Sequence, residues 1–310
     1  GASPSTTSSP LTLPAAACCS KLLRILKLGM GFFADAYDLF VVDIVLAILK
    51  EIQDDGDGAI IMTPARQSAL ALATSLGAVA GMLVFGVVGD RVGRVKGAIV
   101  TASLVIAGSF LSACCSRTAP GWHIDLVTQL IWCRILLGVG IGGEYPLSAS
   151  LAAEQGGDTT HHGTTLHGSA GATASVFSLQ GVGMVTSSLL ALVLSRAGVP
   201  PDWQWRLLLA AGSLPALAAL LFRLRMHEGR AFERSRQRDD TATSGGELLR
   251  RVLDSLRGYV KLLLVTGFTW FLLDITFYGA GQFKHVVGET LMQRELRLAP
   301  TGANGTAGNA

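Results

Sequence analysis

The sequence predicts an all-α membrane protein, and three observations lead there. Half of its 310 residues are hydrophobic and only 15% are charged, where a soluble domain of similar apolar content carries roughly a quarter. The charges sit in clusters, and the stretches between them reach the roughly 20 residues that a helix needs to cross a bilayer. Runs of that length satisfy their own backbone hydrogen bonds only as helices when lipid is the solvent, so no strand is expected.

Seven such runs follow one another, at 28–49, 68–88, 97–115, 126–148, 172–194, 207–222 and 260–280. Lys21, Arg24 and Lys27 precede the first, and the acidic loop Glu51, Asp54, Asp55, Asp57 separates it from the second. Arg91, Arg94 and Lys96 stand between the second and third. The fourth holds a glycine run and Pro146, and the fifth follows a loop with His161, His162 and His167, which lacks a clear fourth zinc ligand. Arg223, Arg225, Arg230, Arg234, Arg236, Arg238, Arg250, Arg251 and Arg257 lie between the sixth and seventh. The basic loops alternate, so they share one side, and the positive-inside rule makes that side the cytosol.

The expected organisation is a disordered cytosolic N-terminus at 1–27, a six-helix bundle at 28–226 and a cytosolic arginine-rich loop at 227–257. A seventh helix at 258–280 and a polar tail at 281–310, read as a truncation, complete it. The net charge of +3 comes mainly from the arginine-rich loop and makes no case for nucleic acid. Five cysteines show neither a metal-ligand spacing nor a disulfide framework and are read as packing or lipid-facing residues, so no metal and no cofactor is expected. An enzyme is not expected either, because no nucleophile and base are paired.

Polar residues inside the spans carry the chemistry, because a charge at a helix centre costs on the order of 3 kcal/mol and is kept only beside a cavity or a partner. Asp35 and Asp38 stand one turn apart in the first span, with Tyr37 beside them. Two like charges in low dielectric do not both stay ionised cheaply, so at least one carboxyl is expected to carry a proton. The fourth span offers Arg134 and then Gly138-Val-Gly140-Ile-Gly142-Gly143-Glu144-Tyr145-Pro146, glycines that permit close helix packing rather than a dinucleotide loop. At ~1.5 Å per residue Arg134 is about 12 Å from the outer end of its span and Asp38 about 15 Å from the inner end of its own, so the two meet near the midplane, with Glu144 at the depth of Asp35. A buried cation among carboxylates offsets their repulsion and attracts an oxyanion. Gln180 lies in the fifth span, and Trp270, Asp274 and Tyr278 share one face of the seventh.

Between the second and third spans stands Gly86-Val-Val-Gly89-Asp90-Arg91-Val-Gly93-Arg94, which resembles the signature loop of the major facilitator superfamily. The resemblance implies about twelve helices in two six-helix halves, of which seven are present here, and a loop in which Gly86, Asp90, Arg91, Gly93 and Arg94 help to hold one face shut.

Three further segments, Gly29-Met-Gly31-Phe-Phe-Ala-Asp35-Ala-Tyr37-Asp38-Leu-Phe40, Gly140-Ile-Gly-Gly-Glu144-Tyr145-Pro-Leu-Ser148-Ala and Thr269-Trp270-Phe-Leu-Leu-Asp274-Ile-Thr-Phe-Tyr278, are similar to the phosphate:proton symporters of fungi and plants. That resemblance implies that Tyr145, Gln180, Trp270, Asp274 and Tyr278 bind phosphate, while Asp35, Asp38, Arg134 and Glu144 serve proton coupling. It also implies that the partners are inorganic phosphate, protons and the lipid bilayer, in the plasma membrane, with self-association compatible with this reading. The chain departs from the family pattern at Glu144, where Asp is usual, at Gly279-Ala280-Gly281 in place of Ser-Gln-Asn, and at His227-Glu228-Gly229 in place of Pro-Glu-Thr. The later helices, which in the family add an Asn and a Lys to the phosphate site, are absent from this sequence. Competing expectations are an organic anion or glycerophosphodiester carrier of the same superfamily, and a truncated regulatory relative that does not transport.

Overall fold

Pro14 ends the Ser-, Thr- and Pro-rich start of the chain, and Ala15-Ala16-Ala17, the best of helix formers, follow it. In the computed structural model helix α1 (Ala15–Asp54) begins there. The structure describes residues 15–54, 62–116, 124–157, 165–226, 254, 257–277 and 291. The expectation of disorder through residue 27 is therefore corrected.

Five further helices complete the first unit: α2 (Pro64–Val92), α3 (Arg94–Cys114), α4 (Leu126–Gly157), α5 (Thr165–Arg196) and α6 (Pro201–Arg223). Helix α7 (Arg257–Phe277) belongs to a second compact unit, since the chain divides between Arg236 and Gln237. Several helices overrun the apolar runs expected of them, because hydrophobicity marks the part that lipid solvates while backbone hydrogen bonding continues into the interface. Among the described residues six helices are long and apolar enough to cross a membrane: α2, α3, α7, α6, and the stretches Leu126–Ser150 of α4 and Phe177–Arg196 of α5. Helix α1 is not in that group; Asp35, Asp38 and Asp43 stand close together in it, and all three are buried.

Within the first unit α1 packs against α5 and α6, α2 against α4, and α3 against both α4 and α6. The α2–α4 contact is close because Gly77 and Gly81 face the Ile135 and Val139 carbonyls, while Gly138 and Gly142 face those of Thr74 and Ala78. A methyl group at any of these would meet backbone. Leu76, Leu83, Leu192 and Leu214 are exposed, an apolar surface that a bilayer solvates at no cost.

Two apolar clusters bracket the interior. One gathers Tyr37, Val41, Leu49, Leu130, Trp205 and Leu208, and the other Phe85, Val95, Ala98 and Leu147. On α4, Arg134 and Glu144 fall between Leu130 of the first and Leu147 of the second. Arg134 and Glu144 thus stand in a layer between the two clusters, while Asp43 falls between Val42 and Val45 of the first along α1.

A single residue joins α2 to α3. Gly93 has φ 121° and ψ 149°, in a region where a Cβ clashes with the following carbonyl, so glycine is the residue that lets two helices reverse direction without a loop. Gly86 lies on α2, Asp90 and Arg91 are exposed at its end, and Arg94 opens α3 half-buried.

Candidate functional site

Helix α1 brings Asp35, Asp38 and Asp43 into the interior, and Asp38 meets an arginine from α4. Asp38 is fully buried, with its Oδ1 4.0 Å from Arg134 Nη1. The same Nη1 donates to the Asp38 main-chain oxygen at 3.2 Å. Ser109 of α3 lies with its hydroxyl 2.8 Å from both carboxylate oxygens and donates to the group. A Cβ at Gly212 of α6 would collide with this carboxylate, so the glycine makes the space it occupies. Beside it the Tyr37 hydroxyl donates to the Leu208 carbonyl at 2.8 Å and ties α1 to α6.

The second pair is Glu144 of α4 with Arg223 at the end of α6. Arg223 Nη1 donates to Glu144 Oε2 at 2.6 Å and Nη2 pairs with Oε1, a two-pronged contact. Ser148 adds a hydroxyl to Oε1 at 2.9 Å, Thr101 another to Oε2 at 3.4 Å, and Arg223 Nη1 also donates to the Ala98 carbonyl at 3.0 Å. Gly31 of α1 leaves the room; a Cβ there would meet both the Glu144 carboxylate and the Arg223 guanidinium. Asp35 is buried within electrostatic reach of Glu144, Arg223 and Asp38, which links the two pairs into one group.

Arg223, counted in the sequence among the basic residues between the sixth and seventh spans, is the last residue of α6 and turns into the interior. It is 4% exposed and completes the layer between the two apolar clusters. Sequence reasoning missed it because it directly follows an apolar run and merges with the basic loop in a count of charges. The signal that remained was Glu144 itself, a buried acid that requires a cation from a neighbouring helix. Thr101, Ser109 and Ser148 were missed for a different reason. Hydroxyls in such helices commonly satisfy themselves on their own backbone, as Thr101 also does on Ala98 at 3.0 Å, and so leave no mark in the sequence.

Among the buried atoms of this group, Arg134 Nη2 and Asp35 Oδ2 have no hydrogen-bond partner. Buried polar atoms are nearly always paired, so a donor and an acceptor left over in one interior leave capacity for a proton and for an anion. Three carboxylates and two guanidiniums make the group one positive charge short of neutral.

Tyr145 stands next to this layer, its ring edge-on to Phe32 with centroids 5.4 Å apart. Phe32 in turn packs on Phe177 of α5 at 4.4 Å. Gln180, half-buried, lies one helical turn beyond Phe177, so Tyr145 and Gln180 flank one aromatic group. Trp270 and Asp274 stand on α7 in the second unit, and the group just described contains neither. Tyr278, His161 and His162 lie outside the described residues, as does the side chain of His167.

The sequence matches the family described as "Sugar (and other) transporter" over residues 28–259. It is 32% identical over 310 residues to inorganic phosphate transporter 1-1 of Oryza sativa subsp. japonica, covering 84% of this chain and 56% of that protein. Probable inorganic phosphate transporter 1-8 of Arabidopsis thaliana is 31% identical, with 82% of this chain and 52% of that protein covered. The chain thus spans about half the length of the curated relatives it matches. Among solved structures, the xylose transporter XylE from E. coli in a partially occluded inward-open conformation superposes with a TM-score of 0.59 at 18% identity, over 83% of this chain and 62% of that one. The proton:xylose symporter XylE bound to 6-bromo-6-deoxy-D-glucose gives a TM-score of 0.60 at 19% identity, over 80% and 56%. These likenesses establish the fold as a major facilitator superfamily helical bundle.

Proposed function

Because the chain belongs to the sugar (and other) transporter family, we propose that it forms part of a multi-pass secondary transporter that carries inorganic phosphate into the cell together with protons. The observation that carries this reading is the buried group of Asp35, Asp38 and Glu144 with Arg134 and Arg223. One proton on a carboxylate neutralises it, and an arriving proton therefore changes the charge of the layer through which an anion must pass. The unspent Nη2 of Arg134 suits an oxyanion, which a guanidinium holds by charge-assisted hydrogen bonds.

In the assigned roles, Tyr145, Gln180, Trp270, Asp274 and Tyr278 bind dihydrogen phosphate. Asp35, Asp38 and Glu144 carry protons, with Arg134 and Arg223 as their counter-ions. The Gly86 to Arg94 segment closes the cytosolic face, and rocking of two helical bundles exposes the site to each side in turn. The N-terminus is cytosolic and the membrane is the plasma membrane.

The test is uptake of labelled phosphate by cells that lack their own phosphate importers and express the chain, at acidic and neutral external pH. Uptake is expected to rise as external pH falls and to be lost in Asp38→Asn. Equal uptake by that variant sinks the role given to Asp38, and an absence of acid stimulation sinks proton coupling.

A further inference from the structure

Among the described residues Cys114, Cys115 and Cys133 have no part in the carboxylate and guanidinium group, yet two of them are brought together. Cys115 caps the end of α3, Cys133 stands near the start of α4, and their Sγ atoms are 3.9 Å apart. Cys115 is buried and Cys133 partly exposed, while Cys114, adjacent in sequence, is exposed. The backbone around the pair is held from two sides. Arg206 of α6 donates to the Ala113 carbonyl at 2.9 Å and to the Cys115 carbonyl at 2.5 Å. Gln129 of α4 donates to the Ser116 carbonyl at 3.1 Å and to that of Ile124 at 2.8 Å. The thiols thus meet where the helix ends are clamped rather than in a loose loop. A disulfide requires the sulfurs at about 2.0 Å, and the remaining approach is on the scale of a change in side-chain torsion.

We propose that Cys115 and Cys133 are an oxidisable dithiol site, which a peroxide-class oxidant closes to an intramolecular disulfide that staples the end of α3 to α4. A peroxide is small and uncharged, so an apolar setting does not exclude it, and the partly exposed Cys133 meets it first. The Cys133 thiolate attacks one peroxide oxygen, breaks the O–O bond and becomes a sulfenic acid, with hydroxide leaving and taking up the thiol proton as water. Cys115 Sγ then attacks Cys133 Sγ; the S–S bond forms, and the sulfenic hydroxyl leaves as a second water with the Cys115 proton. Two thiols are oxidised by two electrons and one peroxide is reduced to two waters. Arg134 directly follows Cys133, so the staple holds the turn of α4 that presents the guanidinium paired with Asp38. The site stands whether or not the chain moves phosphate.

The test uses the full chain in membranes, treated with hydrogen peroxide, blocked with N-ethylmaleimide, digested and mapped by mass spectrometry. A peptide linked between residues 115 and 133 is expected in the wild type and in Cys114→Ser. It is expected to disappear with dithiothreitol and to be missing from Cys133→Ser. The inference is overturned if both thiols stay open to alkylation after peroxide, or if Cys133 links to Cys114 or to a second chain instead. Because the wild type is read directly, a misfolded variant leaves the result intact.

Discussion

Arg223 and Glu144 illustrate how much one buried contact weighs. The Glu144 carboxylate is out of water, and its stability there depends on a guanidinium that grips both oxygens. Arg223→Gln leaves that acid with hydroxyl donors alone and is expected to destabilise the protein by about 3–5 kcal/mol. Arg223→Lys recovers part of the loss, because an ammonium cannot reproduce the planar fork. The double variant Glu144→Gln/Arg223→Gln is expected to lose less than the sum of the two single changes, since neither is then left with an unpaired charge. Denaturant unfolding in detergent measures these variants and the single Glu144→Gln, and strictly additive losses would contradict the pairing. Gly31→Leu tests the same contact from the opposite wall: its side chain would displace the carboxylate and guanidinium together, at a cost of about 1–3 kcal/mol by the same measurement.

At the scale of elements, the glycines decide how helices meet. Gly93 is the whole connection between α2 and α3, and at φ 121° an L side chain is strained. Gly93→Ala is expected to destabilise the protein by about 1–2 kcal/mol, seen as a lower melting temperature in detergent. An unchanged melt would mean that the turn relaxes at no cost. Gly142→Leu acts differently, by forcing α4 off the Ala78 carbonyl of α2. Its expected cost is about 1–3 kcal/mol or more, with no repair from a conservative Gly142→Ala, because the clash is with backbone rather than with a side chain that can turn aside. The existence of these helices was legible in runs of apolar residues. Their ends were not, as α1 shows by starting at Ala15, because hydropathy reports where lipid is the solvent and not where hydrogen bonding stops.

For the whole molecule the testable quantity is sidedness. With a cytosolic N-terminus, the start of α2 faces outward and the α2–α3 turn faces the cytosol. In a cysteine-free background, Arg66→Cys is expected to react with an impermeant maleimide added to intact cells, while Asp90→Cys reacts only after permeabilisation. Asp90 is exposed and the Arg66 side chain is 39% exposed, so a reversed pattern would overturn the orientation.

Sequence alone determined that this is a bundle of membrane-crossing helices, that Asp35, Asp38, Arg134 and Glu144 sit inside it, and that Asp38 and Arg134 lie at matching depth. Those conclusions rest on local quantities: the length of an apolar run, the rise per residue and the cost of a charge in lipid. Only the tertiary structure decided that Arg223, at the end of α6, grips Glu144, that Ser109 and Thr101 turn their hydroxyls to the acids, and that Cys115 meets Cys133 rather than Cys114 doing so. Each of these depends on which faces of separate helices are turned toward one another; the four-residue spacing of Gly77 with Gly81 and of Gly138 with Gly142 marks a close contact in the sequence but does not say which helix meets which.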